Sequence, residues 1–325
     1  MRGLNKLTER VMDLLIQHNM VNDQTELLPI TTGAGGAYVY FIDDTYVVKY
    51  AYFPQLDADT RKGYRNEFNF YKTCSNKKNI FIPEVILQTI NDDEMLIVMK
   101  KYFPIKPEEW NENLQKYAIE LCAQINAIDT TGFVKIFQEQ EKQSDANELS
   151  IADDNPHPLS VSYRDWNNLQ IKFPKHIDAE LLKEMYENFD QINSYANKLS
   201  IPETLCHGDC HPNNFLKDGD RLVICDWQGI GMGKGIGDVA FFISRGADMG
   251  IKINRDMLIE SYREALLKYA NIEVKVSDLH KSVAANEFGV SFRFWAGFLQ
   301  TSEISRVLDI YNAMVNSYNL LYDKR

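Results

Sequence analysis

Residues 203–226 break into a largely helical second half with three short apolar runs, around Leu205, Phe215-Leu216 and Leu222 to Cys225. Between the first two runs lies the polar loop Cys206-His-Gly-Asp-Cys-His-Pro-Asn-Asn214. Apolar runs this short, bounded by turn residues, read as strands holding loops. The third run ends on Asp226, followed by Trp227-Gln228. The constraint on the fold is therefore specific: a small strand scaffold set among helices, presenting a loop dense in Asp, Asn and His.

That loop carries chemistry. Asp209 precedes Asn214 by five residues, and Asp226 stands at a strand end twelve residues further on. In phosphoryl transfer one carboxylate accepts or orients the proton of the attacking hydroxyl, and an amide oxygen helps hold a metal ion on the phosphates. Asp209 fits the first role and Asn214 the second. Asp226 supplies a further oxygen ligand of the kind Mg²⁺ requires, brought beside Asn214 by the hairpin between them. Taken singly, Asp209 reads as a turn residue. Geometry alone does not call for His, Asp and Asn at this spacing with a second Asp at a strand end, so the joint pattern reads as functional. Cys206, His207, Cys210 and His211 are all soft-metal ligand types, but adjacent residues on a strand point to opposite faces and no second Cys/His cluster completes a tetrahedron. His207 reads instead as hydrogen-bonded to backbone beneath the loop.

The first third of the chain has a different period. Leu4, Leu7, Val11, Leu14 and Leu15 mark an amphipathic first helix, too interrupted by charge for a signal peptide. Leu27 to Tyr50 reads as two or three strands, Tyr64, Phe68 and Tyr71 place a helix over 61–72, and Glu84 to Ile90 and Met95 to Met99 read as two more strands. Lys100-Lys-Tyr-Phe-Pro104 breaks the pattern and sets a boundary. A helix follows Pro107, striped by Leu114, Tyr117, Leu121, Ile125 and Ile128; residues 130–175 read as an insertion or long connection; a second long helix carries Leu182, Met185, Phe189, Ile192 and Ala196. Everything after Gly237 reads as helical, including continuous helices over 287–300 and through Ile304, Leu308, Tyr311, Val315 and Tyr318.

Two further residues belong with the loop. Lys49 ends the apolar run Tyr46-Val-Val-Lys49, and Glu67 shares a helix face with Tyr64 and Tyr71, where an unpaired carboxylate would be costly. Pairing the two satisfies Glu67 and aims the ammonium at a polyphosphate; the plain alternative is two solvated surface charges. Gly33, Gly35 and Gly36 in Thr32-Gly-Ala-Gly-Gly36 let backbone N–H groups approach phosphate closely, although the stretch satisfies neither common phosphate-loop pattern and alone reads equally as a hairpin turn. The net charge of −11 argues against binding by neutralisation of nucleic-acid phosphates and mildly favours a cationic small molecule. Five cysteines in 325 residues suit a reducing, cytoplasmic setting rather than a disulfide framework, and no apolar run is long enough to span a bilayer.

In its order of parts, from glycine loop through Lys49, Glu67 and a hinge to His207-Gly-Asp-x-x-x-x-Asn214 and Asp226, the chain resembles the aminoglycoside phosphotransferase and choline kinase superfamily. The resemblance runs from about Leu27 to Ile243, and Gly237-Asp238-Val-Ala is similar to the family's Gly-Asp-Leu-Ala, whose Asp stabilises the catalytic loop. It differs in that Trp227-Gln228 follows the strand-end Asp, where better-known members have Asp-x-Asp or Asp-Phe-Glu.

The resemblance implies an α+β, two-lobed, protein-kinase-like fold: a nucleotide-binding lobe of residues 1–101, with a small antiparallel sheet and one main helix, and a larger, mainly helical catalytic and substrate-binding lobe of residues 102–325. It implies Asp209 as catalytic base, Asn214 and Asp226 as Mg²⁺ ligands, and Lys49 with Glu67 at the phosphates. ATP, with GTP left open, is expected near Met99 to Tyr102, touching Lys100 and Tyr102. The expected acceptor is a hydroxylated small molecule, with no nucleic acid or membrane partner. The alternative is a nucleotide-binding module without catalysis.

Overall fold

A computed structural model describes residues 2–22, 24–30, 36–74, 81–131 and 158–322. The described residues form two compact units, one of 1–109, 129–131 and 207–231, the other of 110–128, 158–206 and 232–322.

The first unit is built on strands β1 (Leu27–Ile30), β2 (Tyr38–Ile42), β3 (Tyr46–Tyr52), β4 (Val85–Ile90) and β5 (Glu94–Lys100). They form one antiparallel sheet in the order β1-β2-β3-β5-β4, with Lys49 opposite Ile97 on one side and Val39 on the other. Side chains alternate across a strand, so Tyr40 and Ile42, Val48 and Tyr50, and Leu96 and Val98 fall on one face. There they pack with Val11, Leu14 and Leu15 of helix α1 (Arg2–Gln17). The amphipathic pattern at the N-terminus thus serves to cover one face of the sheet.

Residues of odd number on β3, Lys49 among them, project to the opposite face, where helix α2 (Ala58–Cys74) lies. Asp57 starts that helix by accepting hydrogen bonds from the Thr60 amide (2.8 Å) and hydroxyl (2.7 Å). Its buried stripe is Tyr64, Glu67, Phe68, Phe70, Tyr71 and Cys74. Strand β6 (Phe103–Pro104) pairs with β8 (Phe215–Asp218), which forms a hairpin with β9 (Arg221–Ile224). The amide of Ile224 donates to the carbonyl of Phe81 at 2.8 Å, anchoring the hairpin.

The second unit is helical apart from the paired strands β7 (Glu203–Cys206) and β10 (Gly231–Lys234). Helix α3 (Glu112–Asn126) buries Ala118, Ile119, Leu121, Cys122 and Ile125, whereas Leu114, Tyr117 and Ile128 of the expected stripe are half-buried. Helix α4 (Leu159–Lys172) lies inside the stretch that the sequence left without structure. Pro158, which reads as a break, is the residue at which α4 begins, where a missing N–H costs nothing. Trp166 of α4 is fully buried and donates its indole N–H to the carbonyl of Phe292 at 3.0 Å. It joins Leu169, the expected stripe of α5 (Ala179–Lys198), and Phe288, Met314 and Tyr318 in one core. Further long helices among the described residues are α6 (Ile236–Asp248), α7 (Arg255–Ala270), α8 (Val276–Val290) and α9 (Ile304–Leu321). The expected continuous helix over 287–300 is interrupted after Val290 by a π-turn, Ser291–Trp295. The fold is α+β, a small antiparallel sheet followed by a mainly helical part, as the sequence implied.

Candidate active site

Lys49, Glu67, Asp209, Asn214 and Asp226 all lie in the first unit, and the structure brings them together. The Lys49 Nζ donates to Glu67 Oε2 at 2.7 Å and to Asp226 Oδ1 at 2.8 Å. The Glu67 side chain is 1% exposed and that of Lys49 12%. The reading of these two as solvated surface charges is excluded. Burial pushes the Glu67 carboxyl above its ordinary pKa against the pull of Lys49. Burial also works to lower Lys49, but Glu67 and Asp226 outweigh it and hold the ammonium above the ordinary lysine value. For Asp226 the desolvation is again outweighed, by Lys49 and by hydrogen bonds, and its carboxyl sits below the ordinary range. The lysine is therefore a fixed cation between two carboxylates. The Tyr64 ring lies 5.3 Å from Nζ, adding an aromatic face.

The loop before β8 is held by its own polar groups. Asn214 donates its side-chain amide to the Asp209 carbonyl at 2.8 Å and to Asp209 Oδ2 at 3.2 Å. The Asp209 amide donates to His207 Nδ1 at 3.2 Å, so Nε2 carries the His207 proton and donates to the Cys225 carbonyl at 3.0 Å. His207 is fully buried, the backbone prop that the sequence suggested. The Cys225 amide donates to the Asn214 carbonyl at 2.9 Å, tying the end of β9 to the loop. Gly208 has φ +83°, and a Cβ there would lie 1.9 Å from the Gly229 carbonyl oxygen, so only glycine lets the two backbones cross.

Asp226 itself has φ +64°, a left-handed conformation that costs a non-glycine residue about 1–3 kcal/mol and is found where function over-determines the backbone. Two features hold it. Trp227 is fully buried, stacks on Phe70 at 3.9 Å between centroids and donates to the Ile224 carbonyl at 2.7 Å. The Gln228 side-chain amide donates to Asp226 Oδ1 at 2.5 Å. Sequence reasoning quoted Gln228 beside Asp226 but gave it no role; its signal was only its place two residues after Asp226. The neighbouring Cys225 thiol is pushed up to about 12, by burial and then by Asp226, which keeps it protonated.

Two cavities meet at these residues. One, of about 220 Å³, is lined by Ala37, Val39, Val47, Lys49, Tyr64, Glu67, Met99, Lys100, Tyr102 and the Asn214–Asp226–Gln228 group. The other, of about 1040 Å³, is lined by Asp59, Thr60, Ile105, Asp209 and His211, and shares Asn214, Asp226 and Gln228 with the first. Lys100 and Tyr102 both line the smaller cavity, with Lys100 also paired to Asp218 at 2.9 Å and the Tyr102 hydroxyl accepting from the Glu84 amide at 3.0 Å. Of the glycine loop, Gly36 is described, exposed, with φ +76°; Gly33 and Gly35 lie outside the described residues. The donor set fits a hard divalent cation: with the Asn214 amide nitrogen committed to Asp209, its oxygen remains, and Asp226 adds carboxylate oxygen. Asp238, in the first turn of α6, is 3% exposed.

A model of a phosphotransferase enzyme family matches residues 26–273. Protein LicA of Haemophilus influenzae is 24% identical over 230 residues, which cover 65% of this chain and 82% of that protein; a second LicA of the species matches over 65% of its own length. Among solved structures, a choline kinase from Cryptosporidium parvum aligns over 98% of this chain and 97% of its own, with a TM-score of 0.58 and 13% identity. A ternary complex of streptomycin, ATP and APH(2")-IIa aligns over 96% and 97%, with a TM-score of 0.55 and 17% identity. At such identities these likenesses establish a protein-kinase-like fold.

Proposed function

The chain belongs to the phosphotransferase enzyme family, and we propose that it moves the γ-phosphoryl group of ATP, in the presence of Mg²⁺, to a hydroxyl of a small cationic molecule. The observation that carries this reading is the meeting of the two cavities at Asn214 and Asp226, with Lys49 on one side and Asp209 on the other. Adenine nucleotide occupies the smaller cavity, its base near Met99, Lys100 and Tyr102 and its phosphates at the Lys49 ammonium, which Glu67 orients. Residues 1–101 form the nucleotide-binding lobe, residues 102–325 the catalytic and acceptor-binding lobe. Asn214 and Asp226 hold the metal, which when bound neutralises charge developing on the phosphates.

Asp209 accepts or orients the proton of the acceptor hydroxyl from within the larger cavity. Its Oδ2 hydrogen bond from Asn214 keeps the carboxylate facing one way, so the hydroxyl meets a pre-positioned acceptor rather than a rotating one. Catalysis comes from this positioning and from fixed charge, with no covalent intermediate on the protein. Asp59, Asp209 and Asp226 line the larger cavity, with no Lys or Arg among its described lining residues, which favours a cationic acceptor. No helix among the described residues is long and apolar enough to cross a membrane, and none of the five cysteines is in a disulfide, in keeping with a cytoplasmic enzyme.

The test is ADP release over a panel of hydroxylated amines and sugars, with Asp209→Ala beside wild type. Turnover is expected to fall about 10²–10⁴-fold in the variant while its thermal shift with Mg-ATP persists. Full turnover in Asp209→Ala removes Asp209 as base, and a wild type with neither nucleotide binding nor turnover removes the reading.

A further inference from the structure

Helix α6 starts at Ile236 with Gly235 as its N-cap, a residue with no side-chain oxygen to accept from the first turn. The amides of Ile236 and Gly237 have no acceptor inside the helix, and none outside it among the described residues. Both residues line a cavity of about 420 Å³, a size that suits a small molecule. It shares no lining residue with the two cavities that meet at Asn214.

Across this cavity stands a second unsatisfied group. Ser282 of α8 is only 8% exposed, lines the same space, and its hydroxyl makes no hydrogen bond among the described residues. A serine within a helix can satisfy itself on the carbonyl four residues back, as Ser261 does on Met257 at 2.7 Å; Ser282 does not. A buried hydroxyl without a partner is costly, so its bond is left for a group in the cavity. One turn further along α8, the Asn286 side-chain nitrogen lies 3.8 Å from where a Cβ on Gly237 would be, beside the open end of α6.

Charge sets the sign of that group. Lys234 is the one ionisable residue among the described lining residues. Its Nζ donates to the carbonyls of Ala196 at 2.6 Å, Asn197 at 3.0 Å and Leu199 at 3.2 Å, covering the negative C-terminal end of α5. With its three N–H groups used there, it lends the cavity charge rather than a hydrogen bond. The positive end of α6 therefore faces the cavity unopposed. Burial pulls the Lys234 ammonium below the ordinary lysine value, against the pull of Glu203, and an anion nearby would raise it again. Asp238, in the same first turn, is 3% exposed and not among the lining residues; it lies near the Cys206 thiol, which burial and then Asp238 raise.

We propose that this cavity is an oxyanion site, in which the Ile236 and Gly237 amides, the Ser282 hydroxyl and the Asn286 side-chain amide bind the phosphate or carboxylate group of a small metabolite, with Lys234 as countercharge.

Inorganic phosphate and acetate are titrated separately, at constant ionic strength, into the ¹⁵N-labelled 325-residue chain. Mg²⁺ and a non-hydrolysable ATP analogue are present in excess, to keep the probe out of the active site. The amide resonances of Ile236 and Gly237 are expected to shift saturably. Saturation at lower phosphate than acetate identifies a phosphoryl ligand, and the reverse order a carboxylate. Ser282→Ala keeps the folded spectrum and weakens the probe about 5–10-fold. Ser282→Asp fills the site with its own carboxylate and abolishes the shift, with affinity for the analogue unchanged; if that variant does not fold, Ser282→Ala carries the test. Shifts at Ile236 and Gly237 that are absent or fail to saturate with both anions overturn the proposal, as does wild-type affinity in Ser282→Ala. These resonances decide the matter whether or not the analogue binds.

Discussion

Lys49 and Tyr50 are neighbours on β3 that face opposite sides of one sheet, and each ends in a buried charged cluster. On the Tyr50 side the set closes. The Tyr50 hydroxyl donates to Glu94 Oε2 at 2.8 Å, and Arg10 reaches the same carboxylate through Nε at 3.1 Å and Nη2 at 2.5 Å. One cation meets one anion, with α1 packed over the face. On the Lys49 side one cation serves two carboxylates, Glu67 and Asp226, and the group lines a cavity. The difference separates structure from function: a cluster that balances its charge at home stabilises the fold, whereas one left a positive charge short, beside open space, is waiting for a ligand.

The two clusters should differ most at Asp226. Asp226→Asn removes the surplus carboxylate while keeping the shape, so turnover is expected to fall about 10³-fold, with the melting temperature unchanged or raised. A melting temperature lowered by several degrees would place Asp226 with the structural cluster instead. Glu94→Ala is the mirror experiment. It strands the Tyr50 hydroxyl and frees Arg10, whose side chain is 48% exposed, so the expected cost is about 2 kcal/mol in denaturant unfolding with kcat and KM unaltered. Tyr50→Phe removes one hydrogen bond of that set and is expected to cost about 1 kcal/mol, again without kinetic effect.

Acid sharpens the contrast further. Arg10, through its hydrogen bonds, holds Glu94 below the ordinary carboxylate value of 4.5 despite partial burial. A carboxylate lowered in the fold contributes stability above its unfolded pKa and loses it as the pH falls through the folded one. Stability measured from pH 6 downward is therefore expected to decline more steeply below about pH 4.5 in wild type than in Glu94→Gln.

Much of this was legible in the sequence. The order Lys49, Glu67, Asp209, Asn214, Asp226, through its resemblance to a known family's, led to the expectation that the five share one site, and the structure brings them together. The stripe Leu182, Met185, Phe189, Ile192 named its helix because four large apolar side chains repeat at helical spacing. Helix α4 escaped the same reading. It buries only Ser162, Trp166 and Leu169, too few to show a period, and its starting proline reads as a break. Strand β10 escaped because Gly231 and Gly233 carry no side chain to alternate. Gln228 escaped for a different reason: its contact with Asp226 depends on the left-handed turn at Asp226, and no residue pattern announces that turn.

Under the proposed function, the cavity behind Asp209 receives a hydroxyl and the cavity beside Lys49 delivers a phosphoryl group to it. Mass spectrometry of acceptor panels incubated with the protein and Mg-ATP tests that directly. In wild type an acceptor is expected to gain one phosphoryl group on oxygen, stoichiometric with ADP, and in Asp209→Ala none. ADP formed with no phosphorylated acceptor, or equal product from Asp209→Ala, would contradict it.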